Sequence, residues 1–324
     1  MTATTEQHHR RLQQQQDKID NGQHESRDKL PESAIPGPHH DEPTNPLPAQ
    51  HLDKPGLEAD LALKPRYQAE HYRGSAKLQD MAAIITGGDS GIGRAVAVLY
   101  AREGADVAIV YLKEEAEDAR ETQAAVEAEG RRCLLIPGDV KDSAFCKRAA
   151  EQTVDTFGRL DILVNNAAFQ EHAESILDLT EERLEETFKT NIFGYFHMVK
   201  AVLPHLKPGA SIVNTGSVVG LRGKKTLLDY ASTKGAIHAF TLSLASSLVD
   251  KGIRVNAVAP GPVWTPLNPA DQPADKIGDF GKHSDIGRPA QPEELSPAYV
   301  FLAAPCCASY ITGIVLPITG SVGN

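Results

Sequence analysis

From about Lys77 onward, short apolar runs alternate with longer amphipathic stretches, and that alternation leaves few folds open. The runs are Met81–Thr86, Asp106–Tyr111, Arg132–Ile136, Asp161–Val164, Ser211–Asn214 and Ile253–Val258. Each is apolar at consecutive positions, so both faces must be covered, as in the strands of a buried parallel sheet. The stretches between them predict helices over Ile92–Glu103, Glu114–Glu129, Ser143–Phe157, Glu181–Leu206 and Asp229–Lys251. Strands alternating with helices give an α/β fold, a single doubly wound parallel sheet with helices on both faces. Ile314–Ile318 reads as a last strand, and Pro317 within it argues for an edge position.

The first 75 residues do not share this pattern. Residues 1 to about 50 carry Gln13 to Gln16 and prolines at 31, 36, 38, 43, 46 and 48. Such a segment buries too little apolar surface to offset its ordering entropy, so a disordered or surface-wrapping tail is expected. The pairs His8–His9 and His39–His40 lack the spaced carboxylate or Cys partners of a metal site, and no metal is expected. Leu52 to Tyr72 is less polar and reads as an arm that packs on the domain or on a neighbouring subunit. The division is therefore 1–75, a largely irregular N-terminal extension, and 76–324, the folded domain.

Net charge is −10, which argues against non-specific nucleic-acid binding. Cys133, Cys146, Cys306 and Cys307 form no C-x-x-C pair and read as reduced thiols. There is no secretory h-region and no apolar run of about 18 residues, so a cytoplasmic protein without a membrane partner is expected.

The first strand runs into Thr86-Gly87-Gly88-Asp89-Ser90-Gly91-Ile92-Gly93, followed by a helix. A strand, a glycine turn and a helix N-terminus together bind a pyrophosphate, because the backbone approaches closely and the helix start offers free N–H groups. This makes the sheet Rossmann-type. A P-loop is excluded, since Gly93 is followed by Arg94-Ala95 rather than Lys-Ser/Thr. The second strand ends in Val110-Tyr111-Leu112-Lys113, without the acidic residue that bonds the ribose 2′-OH of NAD. With Lys113 and Arg94 as positive charges, NADP(H) is favoured over NAD(H), although Glu114 and Glu115 lie close by. Asp139 follows the third strand and fits either a bond to an adenine amino group or a turn.

Tyr230-Ala-Ser-Thr-Lys234 opens a long helix, and positions i and i+4 share a face. A lysine ammonium there would favour phenolate and lower the phenol's pKa, which suits a proton donor and acceptor near neutral pH. Ser217, just past the strand Ser211–Asn214, offers a hydroxyl to a substrate oxygen.

On these residues the chain resembles the classical short-chain dehydrogenase/reductase family over about residues 78–320. The motifs are Thr86–Gly93, Asn165-Asn166-Ala167-Ala168, Asn191, Ser217, Tyr230 with Lys234, and Pro260-Gly261. More narrowly, Gly87–Arg94, Val107–Leu112, Asp229-Tyr230 and Pro260–Leu267 resemble a bacterial glucose/ribitol dehydrogenase-like, general-stress subgroup that also carries a polar N-terminal extension. The resemblance implies an NAD(P)(H)-dependent oxidoreductase interconverting an alcohol and a carbonyl, on a sugar, polyol or small aldehyde or ketone. It makes Tyr230 the general acid/base and assigns Lys234 to the pKa and the nicotinamide ribose. Ser217 then polarises the carbonyl, and Asn191 holds a water linking Lys234 to solvent. Cofactor contacts carry over to Gly87, Asp89, Ser90, Gly91, Ile92, Gly93, Tyr111, Leu112, Asp139, Val140, Asn166, Ala168, Tyr230, Lys234, Pro260, Gly261, Val263 and Thr265. A homo-oligomer, dimer or tetramer, is implied.

Two departures stand out. The family's usual Asn-Asn-Ala-Gly ends in Ala168, which narrows the space beside the nicotinamide. The usual Val-Asn-Gly-Gly near the C-terminus is replaced by Pro317–Asn324, which weakens the expectation of tetramer contacts. Substrate choice falls to about Trp264–Arg288, which reads as a mobile lid. Gln170 and Trp264 are substrate candidates, Trp264 equally an anchor for the lid, and His172 reads as a surface loop residue. Alternatives are a 3-oxoacyl-thioester reductase, for which Arg222, Lys224 and Lys225 would meet a carrier, and a stress protein with little turnover.

Overall fold

The computed structural model describes residues 41–322, of which Glu42 onward form one compact unit. The expected tail character of the first forty residues, with its histidine pairs, lies outside the described residues. The seven strands are β1 Ala82–Thr86, β2 Asp106–Tyr111, β3 Cys133–Pro137, β4 Ile162–Asn165, β5 Ser211–Thr215, β6 Arg254–Pro260 and β7 Val315–Ile318. They pair in parallel in the order β3-β2-β1-β4-β5-β6-β7. Every residue of β1, β2, β4, β5 and β6 is buried, which is why these runs carry no polar alternation.

The principal helices are α1 Gly91–Arg102, α2 Ala116–Ala128, α3 Ser143–Phe157, α4 Glu181–Phe188, α5 Gly194–Val202, α6 Leu228–Leu248 and α7 Pro292–Ala303. They cover both faces and close two apolar cores, one including Val96, Leu99 and Tyr299, the other Met198, Val202 and Leu248. Pro317 pairs with Ala259 on the edge strand β7, where a missing N–H costs no ladder bond to a further strand. The stretch expected as one helix from Glu181 is two, joined by a π-helical turn, Lys189–Phe193. The Asn191 side chain in that turn leaves the helix to bond the Phe169 backbone, a side-chain use that accompanies such turns at functional sites.

Strand order reverses between β1 and β4, so the loops leaving their C-terminal ends part and open a crevice. The stretch 47–61 lies against the segment after β6, while Arg66 to Ser75 bond α7 and the end of α1. Leu47, Leu52 and Leu61 are buried with Trp264, Ala270 and Ile277, and the Leu47 and Leu52 N–H groups donate to Gly278 O and Pro269 O, both at 3.0 Å. Among the described residues no helix is long and apolar enough to cross a membrane.

Candidate active site

The glycine turn is fastened to β2 by Gly87 N–H, which donates to Val110 O at 2.8 Å. It then doubles back so tightly that a Cβ on Gly93 would lie 1.8 Å from Gly87 O. Ser90 precedes α1 without a side-chain cap, leaving the four N–H groups of the helix start to other partners. Gly91 N–H donates to Glu58 Oε2 at 2.7 Å, and Arg94 N–H closes onto Ser90 O. Ile92 and Gly93 N–H have no acceptor among the described residues, which leaves a donor pair at a positive helix end for a phosphate. The residues present therefore fit a dinucleotide.

Asn166, just after β4, ties this turn to the other half of the site. Its Nδ2 donates to Gly87 O at 3.0 Å, and its Oδ1 accepts from Thr215 Oγ1 at 3.2 Å. Thr215 O in turn accepts from Lys234 Nζ at 2.8 Å. Lys234 sits 5.3 Å above the centroid of the Tyr230 ring, and the Tyr230 phenol is in hydrogen-bond contact with Ser217. Ser217 is held by its own N–H to His238 Nε2 at 3.4 Å, and its Oγ accepts from Val219 N–H at 3.3 Å. The structure thus brings Ser217, Tyr230, Lys234 and Asn166 together, on loops from adjacent strands and one face of α6. Asn191 joins from behind: its Oδ1 accepts from Phe169 N–H, and its Nδ2 donates to Phe169 O and Thr233 Oγ1.

The charges differ from the expected pattern. Burial pushes the Lys234 ammonium down to about 7. Burial, and then the Asp271 charge, push the Tyr230 phenol well above its ordinary value. Lys234 is only 1% exposed, donates to the Thr215 carbonyl and lies over the Tyr195 and Tyr230 rings, and the lost hydration disfavours its charge.

Of the other cofactor positions, Asp89 is buried, and its carboxyl is pushed up to about 6 by burial. Tyr111 is buried and Leu112 exposed at the end of β2. Asp139 accepts Lys141 N–H at 2.8 Å and pairs with its ammonium, the turn role. Val140 is buried, and its carbonyl accepts from His197 Nδ1. Ala168 is half-buried beside Phe169. Pro260 ends β6, Gly261 N–H donates to Ile318 O, and Val263 bridges to Ala290. Thr265 packs its methyl over Gly91.

Two expectations are corrected. Trp264 is not presented to a substrate. It is 1% exposed among the arm leucines, and its indole N–H donates to Leu63 O at 2.9 Å. Arg94 is not available to a 2′-phosphate. It is buried, bonds Glu58 Oε1 at 2.6 Å and Glu121 Oε1 at 2.9 Å, and lies 3.6 Å from Asp118. The acid missing from the end of β2 in sequence is also supplied in space, because Glu115 folds back to accept Leu112 N–H at 2.9 Å.

Sequence reading missed Asp271, a buried carboxylate in the lid. Its Oδ2 accepts from Gln170 Nε2, and its Oδ1 from His172 N–H at 2.7 Å, with His172 Nδ1 at 2.9 Å. That hydrogen bond raises the His172 pKa. No motif marks an aspartate whose partners lie about a hundred residues away. Glu171, His172 and Asp271 are the one metal-type cluster among the described residues, and Lys54 and the imidazole already engage its carboxylates. Lys54 and Glu58 of the arm were missed for the same reason.

The family model described as enoyl-(acyl carrier protein) reductase matches residues 87–321. General stress protein 39 of Bacillus subtilis is 53% identical over 275 residues, 85% of this chain and 96% of that protein. The chloroplastic NADPH-dependent aldehyde reductase 1 of Arabidopsis thaliana is 47% identical over 277 residues, covering 84% and 96%. A short-chain dehydrogenase from Burkholderia cenocepacia, solved in complex with NADP, superposes with a TM-score of 0.70 at 36% identity, over 76% of this chain and 98% of the other.

Proposed function

The chain belongs to the short-chain dehydrogenase/reductase family, and from that premise we propose that it reduces a small aldehyde, ketone or sugar carbonyl, or oxidises the matching alcohol, with Tyr230 as general acid/base. The observation that carries this reading is the unbroken chain of contacts from the glycine turn through Asn166, Thr215 and Lys234 to Tyr230 and Ser217. It couples the place for a diphosphate to the place for a proton transfer.

The Ile92 and Gly93 N–H groups and Asn166 would hold a nicotinamide dinucleotide, which supplies the hydride chemistry when bound. Ser217 Oγ orients the substrate oxygen. Tyr230 Oη holds the proton that an alkoxide takes up, and its raised pKa keeps that proton in place until the alkoxide forms. Lys234 Nζ fixes Thr215 and completes the wall under the phenol.

NADP(H) is the favoured cofactor at neutral pH. Lys113 remains exposed beside the end of β2, and burial pushes Glu115 up to about 8, so that acid is largely neutral there. The named relative and the NADP-bound neighbour agree with this choice. Exposed Phe193, Phe196 and Leu242 support a self-association face and a homo-oligomer.

The test is titration with NADPH and NADH, followed by energy transfer from Trp264, the single tryptophan, and then reduction of a series of aldehydes. Tighter NADPH binding and Tyr230-dependent turnover are expected. Binding of neither nucleotide overturns the reading. Faster reduction of a 3-oxoacyl thioester than of any aldehyde would replace the substrate class, and binding without turnover would favour a stress protein with little catalysis.

A further inference from the structure

Three walls border the crevice: the loop after β4, the lid, and the start of α1. One short piece of the arm touches all three. Lys54 Nζ donates to Gln170 O at 2.8 Å and Ala270 O at 3.0 Å, and pairs with Glu171 at 3.1 Å. Four residues on, Glu58 meets Gly91 and Arg94. Between them Gly56 has φ +92°, and a Cβ there would lie 2.8 Å from the Ala270 Cβ and 3.1 Å from Pro266 O. Only glycine lets the arm descend this close to the lid.

We propose that Lys54 is a positioning residue of the substrate site, pinning the lid to the loop after β4 so that Gln170 and Asp271 are held at a fixed distance from Tyr230. The ammonium has three donors and three acceptors at hand. Two of those acceptors are main-chain carbonyls at the places that matter. Gln170 itself bonds Asp271, and Ala270 immediately precedes it. The Asp271 charge reaches Tyr230, so a shift of the lid is felt at the reacting phenol. Lys54 also lies 5.0 Å from the centroid of the Phe169 ring, whose backbone Asn191 holds from the other side. The Lys54 side chain is 31% exposed, so truncating it leaves no buried charge behind and little reason for the fold to weaken. A purely structural lysine would move stability, whereas a positioning lysine moves substrate affinity.

The inference rests on the oxidoreductase reading, and the test separates the two. In the full chain, Lys54→Met is expected to raise KM for propanal or hexanal by about tenfold, the scale of one lost charge-assisted hydrogen bond. The NADPH Kd should stay within about threefold, and the change in kcat should be smaller than the change in KM. Lys54→Arg, which keeps donors in reach, should restore most of the affinity, and Gly56→Ala should mimic the loss by lifting the arm. An unchanged KM in Lys54→Met overturns the proposal, as does a parallel loss of KM, NADPH Kd and Tm. If the parent chain turns over no aldehyde, ketone, sugar or alcohol, the functional reading has failed and Lys54 is judged by hydrogen exchange of residues 265–272 in the full chain. Faster exchange in Lys54→Met supports the pin, and identical exchange refutes it.

Discussion

Glu58→Ala isolates what holds the arm to the glycine turn. In the parent, the Glu58 carboxylate takes Arg94 Nη1 at 2.6 Å through Oε1 and Gly91 N–H at 2.7 Å through Oε2, and both side chains are buried. Removing one partner of a buried pair costs about 3–5 kcal/mol, because the other charge is left without its counterpart. Arg94 keeps Glu121 at 2.9 Å and Asp118 at 3.6 Å, so the low end applies, about 3 kcal/mol. For a unit of this size that is a fall in Tm of about 6–12 °C. The assay is thermal unfolding of the nucleotide-free protein, with Glu58→Ala, Arg94→Met and the double variant measured together. The double variant removes the stranded cation as well, so it should be less damaged than the sum of the singles. A Glu58→Ala protein melting within about 2 °C of the parent, or strictly additive losses, would refute the reasoning.

Tyr230→Phe keeps the ring and loses the transferable proton, so turnover should fall by about 10²–10⁴-fold while the NADPH Kd changes little; unaltered turnover would remove Tyr230 from the chemistry. Lys234 has a folded pKa lowered to about 7, so its contribution to stability is present above the ordinary lysine range and is lost as pH falls through 7. Urea midpoints should therefore rise between pH about 7 and about 10, and Lys234→Met should flatten that slope. Glu115→Gln should hold the ratio of NADPH to NADH affinity constant as pH rises through about 8, where the parent loses its preference as Glu115 ionises; a pH-independent ratio in the parent would exclude Glu115 from cofactor choice.

The sheet was legible because buried parallel strands need apolar residues at consecutive positions, and β2, Asp106–Tyr111, coincides with its run residue for residue. The glycine turn and Tyr230 with Lys234 were legible because their partners are close in sequence or one helical turn apart. What escaped was carried by contacts of long separation. Trp264 looked like a lid aromatic until Leu63, about two hundred residues away, supplied its acceptor. Arg94 reads as a free cation beside the phosphates, and only the fold shows Glu58, Asp118 and Glu121 around it. The break at Asn191 was invisible because no Gly or Pro marks it within Lys189–Phe193, and its side chain turns instead to the backbone of Phe169.

The same long contacts explain how an acidic surround can accept an anionic cofactor. Asp89, Asp118 and Glu58 lie around buried Arg94 at the start of α1, with Glu115 beside Asp89 and the more exposed Glu121 on Arg94 Nη1. Were Asp89, Asp118, Glu58 and Glu115 all ionised, they would oppose a diphosphate at the helix N-terminus. Burial raises each of them: Glu58 to about 7, Glu115 to about 8, Asp89 to about 6, and Asp118 above its ordinary value. A carboxyl kept partly protonated by desolvation still accepts the Gly91 N–H, so Glu58 caps α1 without presenting a full charge to the phosphates. The raised carboxyls and the fixed Arg94 charge together lessen the repulsion of a diphosphate that the bare carboxylates would exert. The arm thus belongs to the electrostatics of the cofactor site at Glu58 and to the geometry of the substrate site at Lys54, four residues apart on one strand of backbone.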